Sequence, residues 1–386
     1  MASVYKRGGK GNRGRWWTIA WTDHQGQRRS KSARTTDKAA AERIVRRLEA
    51  EAALRREGVI DPTLDAISRE TRRPLTSHLA DFRANLEARQ NTPKHVRMTC
   101  HQIEWLTEQT ATRTVADLTG AAITDAIGAL RDGGASLRTC NSYLGSIKSF
   151  ARWLWTERRI AHQPLAGLRQ FNEATDRRHE RRAMTPEEVD ELLRFTEGYT
   201  TPNHNLTGPD RAMLYALAFG SGFRANELRS LTPASFDLAG DPPTVTVEAA
   251  YSKRRRQDVQ PIRIDLAELL RPWLETKEHD KRVFDNLPEA TARMLRSDLA
   301  AARSDWIEAS GDPAEQLRRE ESDFLCYRDH SGRVADFHAT RHTFVSGIVA
   351  GNASIKVAQE LARHSTSRLT IDRYAHTRLH DMQAAL

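Results

Sequence analysis

Apolar residues recur at three- and four-residue intervals through most of this chain, and two-residue alternation is confined to short runs. That contrast predicts a multidomain, mainly α fold with small β elements. The clearest alternating run is RWWTIAWT, residues 15–22, where Trp17, Ile19 and Trp21 share one face. Asp23 to Gly26 supplies a turn, and Gln27 to Ser32 can return as a second, basic strand. Asp37 is placed to cap a helix carrying Ile44, Leu48 and Ala52 along one side. Residues 1–62 are therefore expected to form a small sheet plus helix, closed by Gly58 and Asp61-Pro62, with residues 63–73 a linker. The tryptophans suit a core, or base stacking.

Residues 74–172 read as all-helical. Leu75, Leu79, Phe82 and Leu86 form one stripe, and Val96, Cys100, Ile103 and Leu106 a second. A third, opened by Ser136 after the Gly133-Gly134 break, runs through Leu137, Cys140, Leu144, Ile147 and Leu154. Asn172 to Arg182 is polar and reads as another linker. Thr185-Pro186-Glu187-Glu188 is a helix-start signature, with Thr185 as cap and Glu188 completing a capping box. From residue 183 to 386 the pattern predicts one mixed α/β domain, with strands near 243–248 and 259–264.

Charge is unevenly placed. The chain of 386 residues carries a net +9, and residues 1–60 hold 15 Lys/Arg against 6 Asp/Glu while the rest balances. A basic module on a balanced body suits a polyanion-binding arm, although a solubilising tail has the same composition. Arg15, Arg28, Arg29 and Lys31 are its candidate DNA contacts. On the third helical stripe Lys148 and Arg152, with Arg158 and Arg159, can meet phosphates or form a solvated face. No run approaches the ~20 apolar residues that span a bilayer, and the N-terminal MASVYKRGGKG lacks a signal-peptide core. Cys100, Cys140 and Cys326 are odd in number and widely spaced, which suits a reducing cytoplasm and not a disulfide or zinc framework.

Four segments of the last domain place cations, imidazoles or a phenol beside ordered apolar runs. In GSGFRANELRSL (220–231), Gly220 and Gly222 end a helix, and Arg224 precedes Glu227 by three positions. In YSKRRRQDVQPIRI (251–264), Lys253, Arg254, Arg255 and Arg256 crowd a hairpin tip. In DFHATRHTF (336–344), His338 and Arg341 share a helix face. His338 and His342 are spaced for a metal, but Ala339 stands where a zincin needs glutamate, and no further ligand is adjacent. In LARHSTSRLTIDRYAH (361–376), His364 lies in a turn before a helix carrying Tyr374. Each segment alone also fits a surface ion pair, a charged tip or a packed aromatic.

Taken in order, GFRANEL, the hairpin lysine, HATRHTF and LARHS…RYAH resemble the tyrosine recombinase (phage-type integrase) family. The resemblance covers residues 183–386 as the catalytic domain. Residues 1–62 resemble the family's basic arm-type DNA-binding domain, and 74–172 its helical core-binding (SAM-like) domain. It implies Arg224 and Arg341 as paired catalytic arginines and Lys253 as the hairpin lysine. His338 and His364 become the two histidines, Tyr374 the nucleophile and Glu227 a supporting acid. Two departures stand out. Arg363 replaces the usual glycine before His364, which costs a tight turn or adds a phosphate contact, and an apparent helical insertion spans 288–322.

The implied reaction is cleavage and rejoining of double-stranded DNA at core sites, with arm sites as accessory contacts, through a 3′-phosphotyrosyl intermediate. The bond energy is kept in the intermediate, so neither cofactor nor metal is expected. The resemblance further implies a synaptic tetramer on DNA in a bacterial cytoplasm, no membrane partner, and a DNA-bending factor or excisionase as candidate accessory proteins. A type IB topoisomerase-like relaxing enzyme shares the chemistry, and a catalytically silent DNA-binding regulator shares the fold.

Overall fold

The alternating run becomes the middle strand of a sheet. In the computed structural model, which describes residues 2–7, 15–59, 61–203, 205–252, 256–351 and 353–369, strands β1 (Ser3–Tyr5), β2 (Thr18–Thr22) and β3 (Arg28–Ser32) pair antiparallel in that order. The β2–β3 turn is tied by Asp23, whose carboxylate accepts from the Gln25 and Gln27 amides, and Gly26 takes a left-handed φ of 81°. Ile19 is fully buried against Ala41 and Val45 of α1 (Lys38–Arg56), with Trp17 and Trp21 packed around them. Asp37 caps α1 by accepting from the Ala39 amide. Strand β1, only three residues long, is too short to show a period.

The stretch 63–73, expected as a linker, is largely helix α2 (Pro62–Thr71). Asp61 does not close the preceding unit; its carboxylate accepts from the Thr63 amide at 2.7 Å and starts this helix. Arg55 of α1 reaches Asp65 of α2 at 3.1 Å. The apolar signal was missing because Leu64 is 59% exposed, so capping and ion pairs specify the helix instead of a buried stripe.

Four longer helices follow: α3 (Leu75–Ala88), α4 (Pro93–Gln109), α5 (Gly120–Asp132) and α6 (Leu137–Thr156). The three expected stripes, apart from half-buried Leu137, are buried in one core around Phe82, Ile103, Ile147 and Phe150. Helix α5 adds Ile123 and Ile127, and Thr119 caps it. Two cations read as exposed are committed to the protein. Lys148 is half-buried and donates to the Leu168 carbonyl. Arg159 donates to Asp81 and lies over the Trp153 ring. Arg152 is exposed.

The chain divides after Arg178 into two units. The second begins inside the expected linker: Arg181 forms a bridge with Val334, and Arg182 makes a bidentate pair with Glu188, both contacts at 2.7 Å. Helix α7 (Pro186–Gly198) starts at the Thr185–Glu188 capping box. Helix α8 (Gly208–Ser221) is buried along nearly its whole length and ends at Gly222, φ 62°. A Cβ at Gly222 would run into the Phe344 ring, so the glycine is required twice over. Then come α9 (Ala225–Ser230) and an antiparallel sheet β4 (Phe236–Asp237), β5 (Thr244–Val247), β6 (Asp258–Pro261). Helices α10 (Ile264–Glu275), α11 (Thr291–Glu308), α12 (Pro313–Glu321), α13 (Phe337–Ala350) and α14 (Ile355–Leu361) complete it.

The apparent insertion at 288–322 is helical as expected, but α11 is not peripheral. Met294, Leu295, Leu299 and Ala302 are fully buried in the main core. Asp298 on the same face accepts from the Arg211 guanidinium at 3.0 Å and the Tyr215 hydroxyl at 2.6 Å. Helix α12 has no buried residue. Among the described residues, no helix is long and apolar enough to cross a membrane.

Candidate active site

Gly222 turns the chain so that Arg224 becomes the N-cap residue of α9. Glu227, 1% exposed, reaches back to accept from the Arg224 amide and its guanidinium, each at 2.8 Å. The Arg224 side chain stays 26% exposed, the geometry of a cation braced from below and open above.

Helix α13 supplies the second cluster. Asp336 caps it, accepting from the Ala339 amide, and is itself held by Arg181 and His179. Arg341, one turn in, is 2% exposed and donates to the Gly222 carbonyl at 2.7 Å and to the Ala362 carbonyl. His338 lies on the same face. Burial first, then the positive fields of Arg181 and Arg341, hold its imidazole down to about 4, with Arg224 adding to the push and Asp336 opposing it. The imidazole is neutral at physiological pH.

The turn after α14 brings in the third cluster. Arg363 adopts φ 49°, a left-handed backbone that an L residue occupies at a cost of ~1–2 kcal/mol. The glycine-type turn is thus kept without glycine. The Arg363 side chain is buried at 4% exposure, so the turn that the departure was expected to cost is kept and the side chain is committed inside the unit. It donates to Gln260 Oε1 at 3.0 Å, the Gly222 carbonyl at 3.2 Å and Glu227 Oε2 at 2.9 Å, with the Phe223 ring 4.4 Å beneath. His364, next in the chain, is 8% exposed.

A continuous hydrogen-bonded path therefore runs from Arg224 through Glu227 to Arg363, and from Arg363 through the Gly222 carbonyl to Arg341. Three segments far apart in sequence meet there. Lys253, Arg254, Arg255 and Tyr374 lie outside the described residues. Arg256 is exposed, 3.4 Å from Asp258 and 3.9 Å from Glu360. In the first unit Arg15, Arg28, Arg29 and Lys31 are exposed; Arg29 pairs with Asp23 at 2.8 Å and Lys31 lies over Trp21. His342 pairs its ring with Ser346, and no three potential metal ligands cluster among the described residues.

Sequence reasoning missed the inward role of Arg363 and the Arg181–Asp336 clamp. The Asp two positions before His338 is a legible cap signal, but its partner in the preceding linker is not. It also missed a recess of about 270 Å³ lined by Asn226, Arg229, Tyr251 and Arg282.

Comparison with known proteins bears on the family and the fold. Residues 182–380 match the sequence profile of the phage integrase family. A tyrosine recombinase XerC of Chlorobaculum tepidum is 25% identical over 67% of this chain and 75% of that protein. A probable site-specific recombinase of the afa region of Escherichia coli is 27% identical over 45% of this chain and 65% of its own length. Among solved structures, the Tn1549 transposon integrase in complex with a circular intermediate DNA superposes with a TM-score of 0.56 at 15% identity, covering 81% of this chain and 98% of that one. A lambda integrase dimer bound to a core site gives 0.55 at 17% identity, covering 96% and 94%. At such identities the structures show a shared fold. The chain belongs to the phage integrase family, the tyrosine recombinases.

Proposed function

We propose that this recombinase cuts and rejoins double-stranded DNA at defined sites, with the cation network around Glu227 as the seat of the scissile phosphate and Tyr374 as the attacking group. The observation that carries the reading is the bonded path joining Arg224 to Arg341, with His338 one turn before Arg341 on the same helix and His364 next in the chain to Arg363. A phosphorane-like transition state gains charge on its non-bridging oxygens, and guanidiniums donate paired hydrogen bonds to it. Preorganised donors of this kind contribute ~3–4 kcal/mol each.

The Tyr374 hydroxyl attacks phosphorus, the 3′-phosphotyrosyl bond forms and the 5′-oxygen leaves. A phenol is protonated at neutral pH, so its proton needs an acceptor. His338 is unprotonated there and can take it. An arriving phosphate anion offsets the Arg181 and Arg341 fields and draws the imidazole back towards the range of a useful base. Lys253 protonates the leaving 5′-oxygen, and His364 donates to a phosphate oxygen. A second strand's 5′-hydroxyl then reverses the step. The exchange conserves one phosphodiester, so no external energy source is needed.

The exposed cations of β3 and Arg15 supply the arm contacts, with Arg152 and Arg256 on the backbone of the core site. We assign residues 1–62 to arm binding, 74–172 to core binding and 183–386 to catalysis. Exchange between two duplexes calls for four protomers, and a bending factor or excisionase would set direction. Tyr374→Phe should bind DNA from the ends of its own element and form no covalent adduct; an adduct from that variant on a nicked substrate removes Tyr374 as nucleophile. Deleting residues 1–60 should flatten the salt dependence of binding, because a net nine cations are lost.

A further inference from the structure

We propose that Arg363 is a positioning residue for strand cleavage: it locks Glu227, and through it Arg224, to the turn that presents His364. The inference rests on the assignment of Arg224 and His364 to the phosphate and of Tyr374 to the attack.

The family resemblance expects glycine here, and the backbone at φ 49° is one that glycine adopts readily. The chain keeps that turn while carrying the largest cationic side chain, and it buries it. A planar guanidinium with donors on separate edges can hold several acceptors at fixed angles, which an ammonium cannot. Arg363 does so across four parts of the unit: its own turn, Gln260 on β6, the Gly222 carbonyl at the end of α8 and Glu227 on α9.

Two of those contacts matter for chemistry. Glu227 Oε1 takes the Arg224 guanidinium at 2.8 Å, while Oε2 takes both the Arg224 amide at 2.8 Å and Arg363 at 2.9 Å. Rotation of the carboxylate would release Arg224, and Arg363 opposes that rotation from the far side. The Gly222 carbonyl is shared with Arg341 at 2.7 Å. Arg363 therefore bonds to groups that hold both arginines, Glu227 for Arg224 and the Gly222 carbonyl for Arg341, while itself buried at 4% exposure. Its neighbour His364 is carried by the same turn, so the three groups are set by one side chain.

The test uses the full chain and a nicked duplex made from the ends of the DNA element that encodes it. Arg363→Gly suits the backbone and deletes the fork. Its single-turnover rate of covalent adduct formation should fall on the order of 10- to 100-fold, the range for a sub-ångström to ångström misplacement, while gel-shift affinity stays within about twofold. Glu227→Gln should also slow cleavage, and the double variant should be little slower than the worse single one, because both act through the same carboxylate. Arg363→Lys keeps the charge without the fork and should remain slow; it carries the test alone if the glycine variant gives no cooperative melt. A wild-type rate in Arg363→Gly or Arg363→Lys overturns the proposal, and so do single effects that multiply in the double variant. Failure of the underlying assignment looks different: the unmodified chain would then yield no Tyr374-dependent adduct, and the positioning role would fall with it.

Discussion

Two buried arginine networks in the catalytic unit use the same side chain to opposite ends. In the core, Asp298 serves one guanidinium, Arg211, and one phenol, Tyr215. Arg211 and Asp298 are both almost fully buried, and burial, then Asp298, pushes the Tyr215 hydroxyl well above its ordinary value, so it stays a donor. At the site, Glu227 is shared by two guanidiniums, Arg224 and Arg363, and Arg341 leans on main-chain carbonyls. The first arrangement matches one buried guanidinium with one buried carboxylate, with Asn203 also donating to Asp298 and Arg211 also donating to main-chain carbonyls. The second is richer in cations than in Glu227's charge and leaves the Arg224 side chain partly open. The difference is between a network whose carboxylate serves a wholly buried guanidinium and one that includes a partly exposed guanidinium, which the proposed function assigns to the scissile phosphate.

The core network should give the largest response. Asp298→Ala leaves the Arg211 charge buried with its carboxylate removed, and breaking such a pair typically costs ~3–5 kcal/mol. Urea unfolding should show that loss, with activity disappearing only as the fold does. A change under about 1 kcal/mol would mean the core pair is energetically no different from a surface one. Arg224→Ala should behave in the reverse way. Cleavage should drop by roughly 10²–10³-fold, with the unfolding midpoint almost unmoved because the side chain is partly exposed. Equal losses of stability from both substitutions would erase the distinction between the two networks.

His338 sharpens the contrast by pH. Its folded value of about 4 lies below the ordinary 6.5, so between those pH values the unfolded chain binds more protons. Stability attributable to this residue therefore falls as pH drops from about 6.5 to 4, and is level above that window. Compared with His338→Gln, the natural chain should lose up to about 3 kcal/mol across it, less whatever solvent screening removes. Parallel pH–stability curves for the two proteins would show that neither burial nor the neighbouring guanidiniums hold the imidazole down.

Much of this was legible in advance, for reasons that differ by residue. The helical stripes through Phe82, Ile103 and Ile147 were readable because the same side chains are periodic and buried. Thr185, Asp37 and Ser136 were readable because a cap acts on amides two or three residues away. Arg224, His338 and Arg341 were nominated by the family resemblance of their motifs, since spacing alone left a surface ion pair open, and the fold brings the Arg224 and Arg341 segments together. What stayed hidden was long-range. Arg363 looked like a departure at a turn, because its partners Gln260 and Glu227 lie 103 and 136 positions away. Asp298 carries no local signal, because its partner Arg211 is 87 positions earlier. A one-dimensional pattern reports what a residue does to its neighbours in the chain, and both networks are made of residues that act elsewhere.

The smallest expected effect concerns a helix that the hydrophobic pattern did not reveal. Helix α2 buries little, and its start depends on Asp61 accepting from the Thr63 amide. Asp61→Ala removes that cap, which is typically worth ~1 kcal/mol. Because Arg55 also binds Asp65 across the junction, the loss should be confined to this segment. Amide hydrogen exchange should quicken in residues 63–71 while α3 and the site around Glu227 keep their protection. If protection fell in both places, the segment would be coupled to catalysis through the fold. Caps and surface ion pairs could then no longer be treated as a local device, distinct from the buried arginine networks that span the sequence.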